Sequence, residues 1–274
     1  MHIITNNEEL AKLCEQVSND EFVTIDTEFI REKSYFPQLC LLQVAGSEVA
    51  AIIDPLAGFD LSPLLNLLQC NKVKKVFHAG RQDLEIFYHL FEQVPQNIYD
   101  TQIAASMCGY GDSISYDSLV SKITGAELDK GARYTNWADR PLTDRQLEYA
   151  MSDVTYLRKI YTHLQEKLRD LGRENWVEEE FSHLKETSLY APNPEEAWKR
   201  LRYNNLRPRN LAALQQLAKW REIEAIKKDI PKGRIIKDEA LLELAVAMPQ
   251  KFSDFARMRG LDKNINERTK REII

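Results

Sequence analysis

Asp26 and Glu28 stand two residues apart in TIDTEF, inside a run rich in β-formers. Side chains at i and i+2 of a strand point to one face, so the two carboxylates project together. Holding two like charges side by side away from water is unfavourable unless a cation sits between them. Asp83 opens a helical stretch just after KVFHAG, and Tyr149 and Asp153 of YAMSD lie four apart, on one face of a helix. Each of these alone has an ordinary reading: solvated acids at a strand end, a helix cap, a surface hydrogen bond. Jointly they describe side chains that converge at one end of a sheet. Hard oxygen ligands suit Mg2+ or Mn2+, and none of these positions offers the Cys or His cluster that zinc would want. Two such ions about 4 Å apart clamp the attacking and leaving oxygens of an in-line phosphoryl displacement, and one lowers the pKa of a bound water. Tyrosine, ordinarily titrating at about 10, is a poor base and better suited to positioning that water.

The elements that must position these groups follow from pattern. A short amphipathic helix is expected over 8–17, then a strand over 21–26. LCLLQVA (39–45) and VAAII (49–53) read as a hairpin around Gly46-Ser47-Glu48. Further elements are a helix at 61–69, a strand at 75–79, a helix at 81–91, a short strand at 98–100 and a helix at 101–107. From Tyr116 onward only helices are expected, the longest from Thr143 to about Leu171. Strands first, then alternating elements, then helices make an α/β fold with a mixed sheet. Three prolines within 186–208 and weak periodicity mark 187–207 as a linker between a first domain, 1–186, and a second, 208–274. In the second, Leu211, Leu214, Ala218 and Ala225 share a helical stripe, Pro231-Lys232-Gly233 breaks that helix, another spans 238–248, and Pro249 and Gly260 punctuate the rest. That makes a small all-α module.

With 274 residues, 43% apolar and 29% charged, the chain has the composition of a packed protein rather than a disordered one. No apolar run approaches the ~18–20 residues of a membrane helix, and MHIITNNEELAKL lacks a secretory layout. Cys14, Cys40, Cys70 and Cys108 form no C-x-x-C pair, so they are expected as buried thiols of a cytoplasmic protein. Charge is split: residues 1–198 carry 18 Lys and Arg against 32 Asp and Glu, whereas 199–274 carry 19 against 10. An acidic body with a basic tail points either to two domains or to a domain with a nucleic-acid-binding arm. Arg200, Arg202, Arg207, Arg209, Lys227, Lys228, Lys232 and Arg234 are its candidate phosphate contacts.

IDTEF, FHAGRQDLEIF and YAMSDVTYL resemble the three motifs of the DEDD 3′→5′ exonucleases, which have an RNase H-like fold. FPQLCLLQVA, NWADRPLTDRQLEYA and the KDEALLELA of the tail resemble the ribonuclease D family in particular, with the tail similar to its HRDC domain. The resemblance covers essentially the whole chain. It implies that Asp26, Glu28, Asp83 and Asp153 hold two divalent metal ions, Mg2+ or Mn2+. Asp26 would bridge both, Glu28 and Asp153 would complete the first site, and Asp83 would hold the second ion. Tyr149 marks the tyrosine branch, since the position where the sister branch has histidine is Glu148. The implied reaction is hydrolysis of the last phosphodiester of RNA with a single-stranded 3′ end, releasing nucleoside 5′-monophosphates, with transfer RNA precursors as substrate. The other readings are a DNA exonuclease of the same branch and a non-catalytic RNA-binding scaffold. The sequence indicates no membrane and no protein partner. Family members commonly carry a second helical domain, which this chain does not reach. Three neighbours stay off the catalytic set: His78 is expected as a core histidine satisfied by backbone, Gln43 as a contact to a terminal nucleotide or to its own neighbours, and Phe29 as a wedge against the last base or as core.

Overall fold

In a computed structural model, which describes residues 3–133, 135–256, 258 and 267–274, the chain divides into two units. One comprises Met1–Ile30 with Pro37–Ala191, the other Arg31–Phe36 with Pro192–Ile274.

The first unit is built on a six-stranded mixed sheet of β1 (Ile3–Ile4), β2 (Phe22–Ile30), β3 (Gln38–Ala45), β4 (Ala50–Ile53), β5 (Lys74–Phe77) and β6 (Ile98–Asp100), in the order β1-β4-β3-β2-β5-β6. Strands β2, β3 and β4 are antiparallel neighbours, while β5 and β6 continue parallel to β2. Its helices are α1 (Asn7–Val17), α2 (Ser62–Gln69), α3 (Arg81–Phe91), α4 (Thr101–Met107), α5 (Tyr116–Thr124), α6 (Asp144–Asp170) and α7 (Glu174–Leu184). Period-two alternation sorts the central strands onto two faces. Val23, Ile25, Leu42, Val44, Ala51 and Ile53 pack into one core with residues of α1, α2 and α3. On the other face Leu41 and Ile52 pack with Ala150 of α6, and Thr24 donates its hydroxyl to the Val154 carbonyl at 2.8 Å. Helix α6 therefore lies across the face that carries Asp26 and Glu28. Its start is fixed by a capping box, with Thr143 and Gln146 each accepting from the other's backbone N–H. Arg140 pins the preceding loop by donating to Asp54 (2.6 and 2.7 Å) and to the Cys40 carbonyl (2.8 Å).

Strand β2 runs four residues past the expected end at Asp26, because 27–30 find antiparallel partners along β3. The D-x-E pair thus lies inside a strand. Cys14, Cys40 and Cys108 are buried and Cys70 is half-buried, all four as free thiols.

The second unit contains α8 (Pro208–Lys228), α9 (Lys232–Ile235), α10 (Asp238–Ala247), α11 (Phe252–Phe255) and α12 (Glu267–Ile273). Leu214 and Ala218 of α8 pack against Ala240, Leu241, Leu244 and Ala245 of α10. Residues 31–36 join this unit: Tyr35 donates its hydroxyl to Glu222 at 2.6 Å, and Asp229 accepts the Tyr35 and Phe36 N–H groups. The proline-rich stretch after α7 is ordered into 3-10 turns at Thr187–Leu189 and Pro194–Arg200. Tyr190 belongs to the first unit's core, and Ala197 and Leu201 to the second's. Proline pre-sets the φ of a first helical residue, which is how Pro194 opens its turn where sequence pattern reads only a linker. Gly260 lies outside the described residues. No described helix is long and apolar enough to cross a membrane.

Candidate active site

Three carboxylates meet where α6 crosses β2. One oxygen each from Asp26, Glu28 and Asp153 lies within 4.8 Å of the other two. The Thr24–Val154 hydrogen bond sets the depth of α6 on the strand one residue from Asp153. Tyr116 of α5 holds the same turn by donating its hydroxyl to the Ser152 and Asp153 carbonyls at 3.0 and 2.7 Å. A register shift between Glu28 and Phe29 re-aims the strand just past the pair.

Asp83 arrives on a third element. After β5 the chain turns through Ala79, in left-handed backbone at φ 53°, and Gly80. Both N–H groups donate to the Asp100 carboxylate, at 3.1 and 2.8 Å. A Cβ on Gly80 would sit 2.5 Å from that of Phe77, so the turn requires glycine. It places Asp83 in the first turn of α3, where Thr27 donates its hydroxyl to it.

The electrostatics are those of a site with too much negative charge. Burial is the largest cause of a raised pKa at all four acids. Asp26 and Asp83 are held well above the carboxylate range, the first also by Asp153 and the second also by Asp26. Glu28 is pushed up to about 10, with Asp26, Asp153 and Asp83 adding to its burial. Asp153 reaches only about 7, because Tyr149 donates a hydrogen bond to it and Arg133 lies close enough to favour its charge. Burial and the neighbouring carboxylates raise the Tyr149 hydroxyl, which therefore stays protonated and a donor. Desolvated like charges of this kind call for cations between them. An all-oxygen donor set at such spacing fits hard divalent ions.

Of the sequence-predicted site residues, Asp26, Glu28 and Asp153 share one cluster, Asp83 adjoins it through Thr27 and its field on Glu28, and Tyr149 hydrogen-bonds Asp153. His78 is half-buried, with one ring nitrogen on the Ile114 carbonyl and the other on the Thr101 hydroxyl, so backbone supplies only one of its two partners. Phe29 is half-buried. Gln43 is fully buried, and neither of its amide atoms has a partner. In the second unit Arg200, Arg202, Arg207, Arg209, Lys227, Lys228 and Arg234 are exposed and Lys232 is half-buried, and Arg200 and Lys228 also pair with Glu222 and Glu224. Sequence reasoning missed Thr27, Tyr116 and Arg133. Strand alternation could have flagged Thr27, but Tyr116 acts through backbone carbonyls and Arg133 sits in an irregular loop, so neither leaves a pattern.

The mixed sheet, the acid cluster and the helical module after them have the form of a 3′-5′ exonuclease domain followed by an HRDC domain. The family model described as 3′-5′ exonuclease matches residues 1–169, and that of the HRDC domain matches residues 210–274. The chain belongs to the ribonuclease D family. Ribonuclease D of Bartonella henselae is 46% identical over 265 residues, covering 96% of this chain and 65% of that protein. Escherichia coli RNase D, described as an exoribonuclease involved in structured RNA processing, superposes with a TM-score of 0.92 at 36% identity, over 99% of this chain and 72% of that one. A Brucella melitensis NrnC structure with bound Mg2+ gives a TM-score of 0.59 at 29% identity, over 69% of this chain and 92% of that one. The chain thus spans just under two thirds of the Bartonella relative's length.

Proposed function

We propose that this chain is a metal-dependent 3′→5′ exoribonuclease that trims single-stranded RNA 3′ ends, transfer RNA precursors among them, and releases nucleoside 5′-monophosphates. The observation that carries the reading is the set of three carboxylates whose oxygens lie within 4.8 Å of one another, with Asp83 beside them, all desolvated and all raised. In this reading Asp26, Glu28, Asp83 and Asp153 would hold two divalent ions, Mg2+ or Mn2+. When bound, the ions supply a water of lowered pKa and positive charge on the reacting phosphate. Mg2+ in the Brucella melitensis neighbour supports that choice of ion.

Tyr149 keeps its proton, so it orients the attacking water and leaves proton removal to other groups. Arg133, whose field reaches Glu28 and Asp153, adds positive charge at the rim of the site. The exposed cations of the second unit supply affinity for phosphate without reading sequence. Residues 1–186 carry the chemistry, 208–274 hold RNA, and 187–207 connect them. The similarity to ribonuclease D proteins supports RNA as the substrate class, and the free thiols fit a reducing cytoplasm.

The test is a gel of a 3′-extended transfer RNA and a matched DNA strand with Mg2+, Mn2+ or EDTA. Stepwise shortening of the RNA, abolished by EDTA and weak on DNA, is expected. Preferential trimming of DNA would replace RNA with DNA as the substrate, and RNA binding with no product under any metal would make the chain a scaffold.

A further inference from the structure

Gln43 sits on β3 directly opposite Asp26 in the antiparallel ladder. Directly paired residues point to the same face, with Cβ atoms about 4.5–5.5 Å apart. Its other ladder partner is Ile52 of β4, and the face it shares with Leu41 and Ile52 is covered by Ala150 of α6. The side chain is 0% exposed, and neither Nε2 nor Oε1 has a hydrogen-bond partner. It therefore touches no solvent-borne nucleotide, and its neighbours do not satisfy it.

A buried amide without partners destabilises a fold, whereas an apolar side chain of the same size and shape would fill the space at little or no penalty. Packing thus gives no reason for glutamine here. The chemistry beside it does. Around Asp26 stand Glu28, Asp83 and Asp153, all acceptors once ionised, and the hydrogen bond that favours its charge comes from the Thr27 backbone. A carboxylate that holds a cation on one side needs donors on the other to fix its orientation. The Gln43 amide carries two N–H groups, is neutral, and belongs to the residue paired with Asp26 across the ladder.

We propose that Gln43 is a positioning residue for the metal site: its amide turns onto the cation-bound Asp26 carboxylate and holds it from behind. Trp137, in the cluster that also holds Leu41 and Ile52, likewise has an indole N–H that is buried without a partner. The inference rests on the metal-dependent reading above and adds to it a residue that contacts neither RNA nor ion.

The experiment compares the wild-type chain with Gln43→Met, close in length and shape, and with Gln43→Leu, which guards against poor packing of methionine. Thermal unfolding in EDTA and over a Mg2+ titration gives stability and ion affinity without turnover, and RNA trimming at saturating and limiting Mg2+ follows. Both variants are expected to melt at or above the wild-type temperature in EDTA, by up to about 4 °C. Both are expected to need about 10–100-fold more Mg2+ for half-maximal stabilisation, with a matching rise in the Mg2+ required for trimming. Variants that both melt lower in EDTA would make the amide a structural group and overturn the proposal. Unchanged Mg2+ dependence would overturn it equally. If the wild-type chain itself shows neither stabilisation by Mg2+ or Mn2+ nor trimming, the metal-dependent reading fails and takes this inference with it.

Discussion

In the helical unit, Arg221 is 2% exposed yet donates to Asp238 and to the Ile236 carbonyl, and the buried Glu222 and Glu224 face Arg200 and Lys228. In the exonuclease unit, four acids from three elements crowd together, with Arg133 the cation whose field reaches Glu28 and Asp153. One unit buries charge against opposite charge and gains a fixed packing. The other buries like charge against like and is left short of cations. Structural ion pairs balance charge against charge; a site prepared for a ligand does not.

The strongest way to break this contrast is Asp26→Asn. It removes one of the crowded charges at nearly constant shape, so the metal-free protein should melt higher while RNA trimming falls about a thousandfold or more. Unfolding in EDTA and a timed gel check both, and a variant that melts lower with normal turnover would show that the cluster is structural. The mirror experiment is Arg221→Met, which leaves the Ile236 carbonyl and the Asp238 carboxylate without their donor. It should destabilise the helical unit by about 2 kcal/mol, read from denaturant unfolding, and leave hydrolysis of a dinucleotide at wild-type rate. A smaller effect is expected from Tyr149→Phe, which loses the donor to Asp153: kcat should fall about 10–100-fold with KM nearly unchanged.

A pH series sharpens the same point. Folded Asp153 and Glu28 keep protons that the unfolded chain releases, since they titrate at about 7 and about 10 instead of 3.8 and 4.5. Their stabilising protonation is complete below the unfolded values and is lost as pH rises through the folded ones. In EDTA the melting temperature should therefore drop between about pH 5 and 8, below the range where the buried Lys75, pushed down to about 8, adds the opposite trend. Saturating Mg2+ should flatten the drop, because the ions take over the role of the protons. A melting temperature that is flat or rising in EDTA would contradict the like-charge account. The smallest expected effect is on RNA affinity in the helical unit: Lys227→Gln with Arg234→Gln should weaken binding at low salt and reduce the salt slope by roughly 0.7 for each phosphate that is no longer neutralised.

Much of this was legible in advance. The D-x-E spacing on a strand, the four-residue step from Tyr149 to Asp153 and the turn before Asp83 are local facts, and local periodicity reports them. The hairpin, the long helix from Thr143 and the α8 stripe through Leu214 and Ala218 are legible for the same reason. The strand extension past Asp26 was not, since 27–30 are strand only by pairing with β3. Nor were Tyr116 or Arg133, whose contributions depend on which backbone carbonyls and carboxylates the fold brings near.

The amino-acid sequence by itself determined the elements, the four acids and the tyrosine, and the imbalance between an acidic body and a basic tail. These depend on residue type and short-range spacing. Tertiary structure alone decided that carboxylates distant along the chain stand within 4.8 Å, that burial raises every one of them, and that an unpaired amide lies opposite the central one. Proximity across elements and desolvation are properties of packing, and no spacing along a single chain encodes them directly.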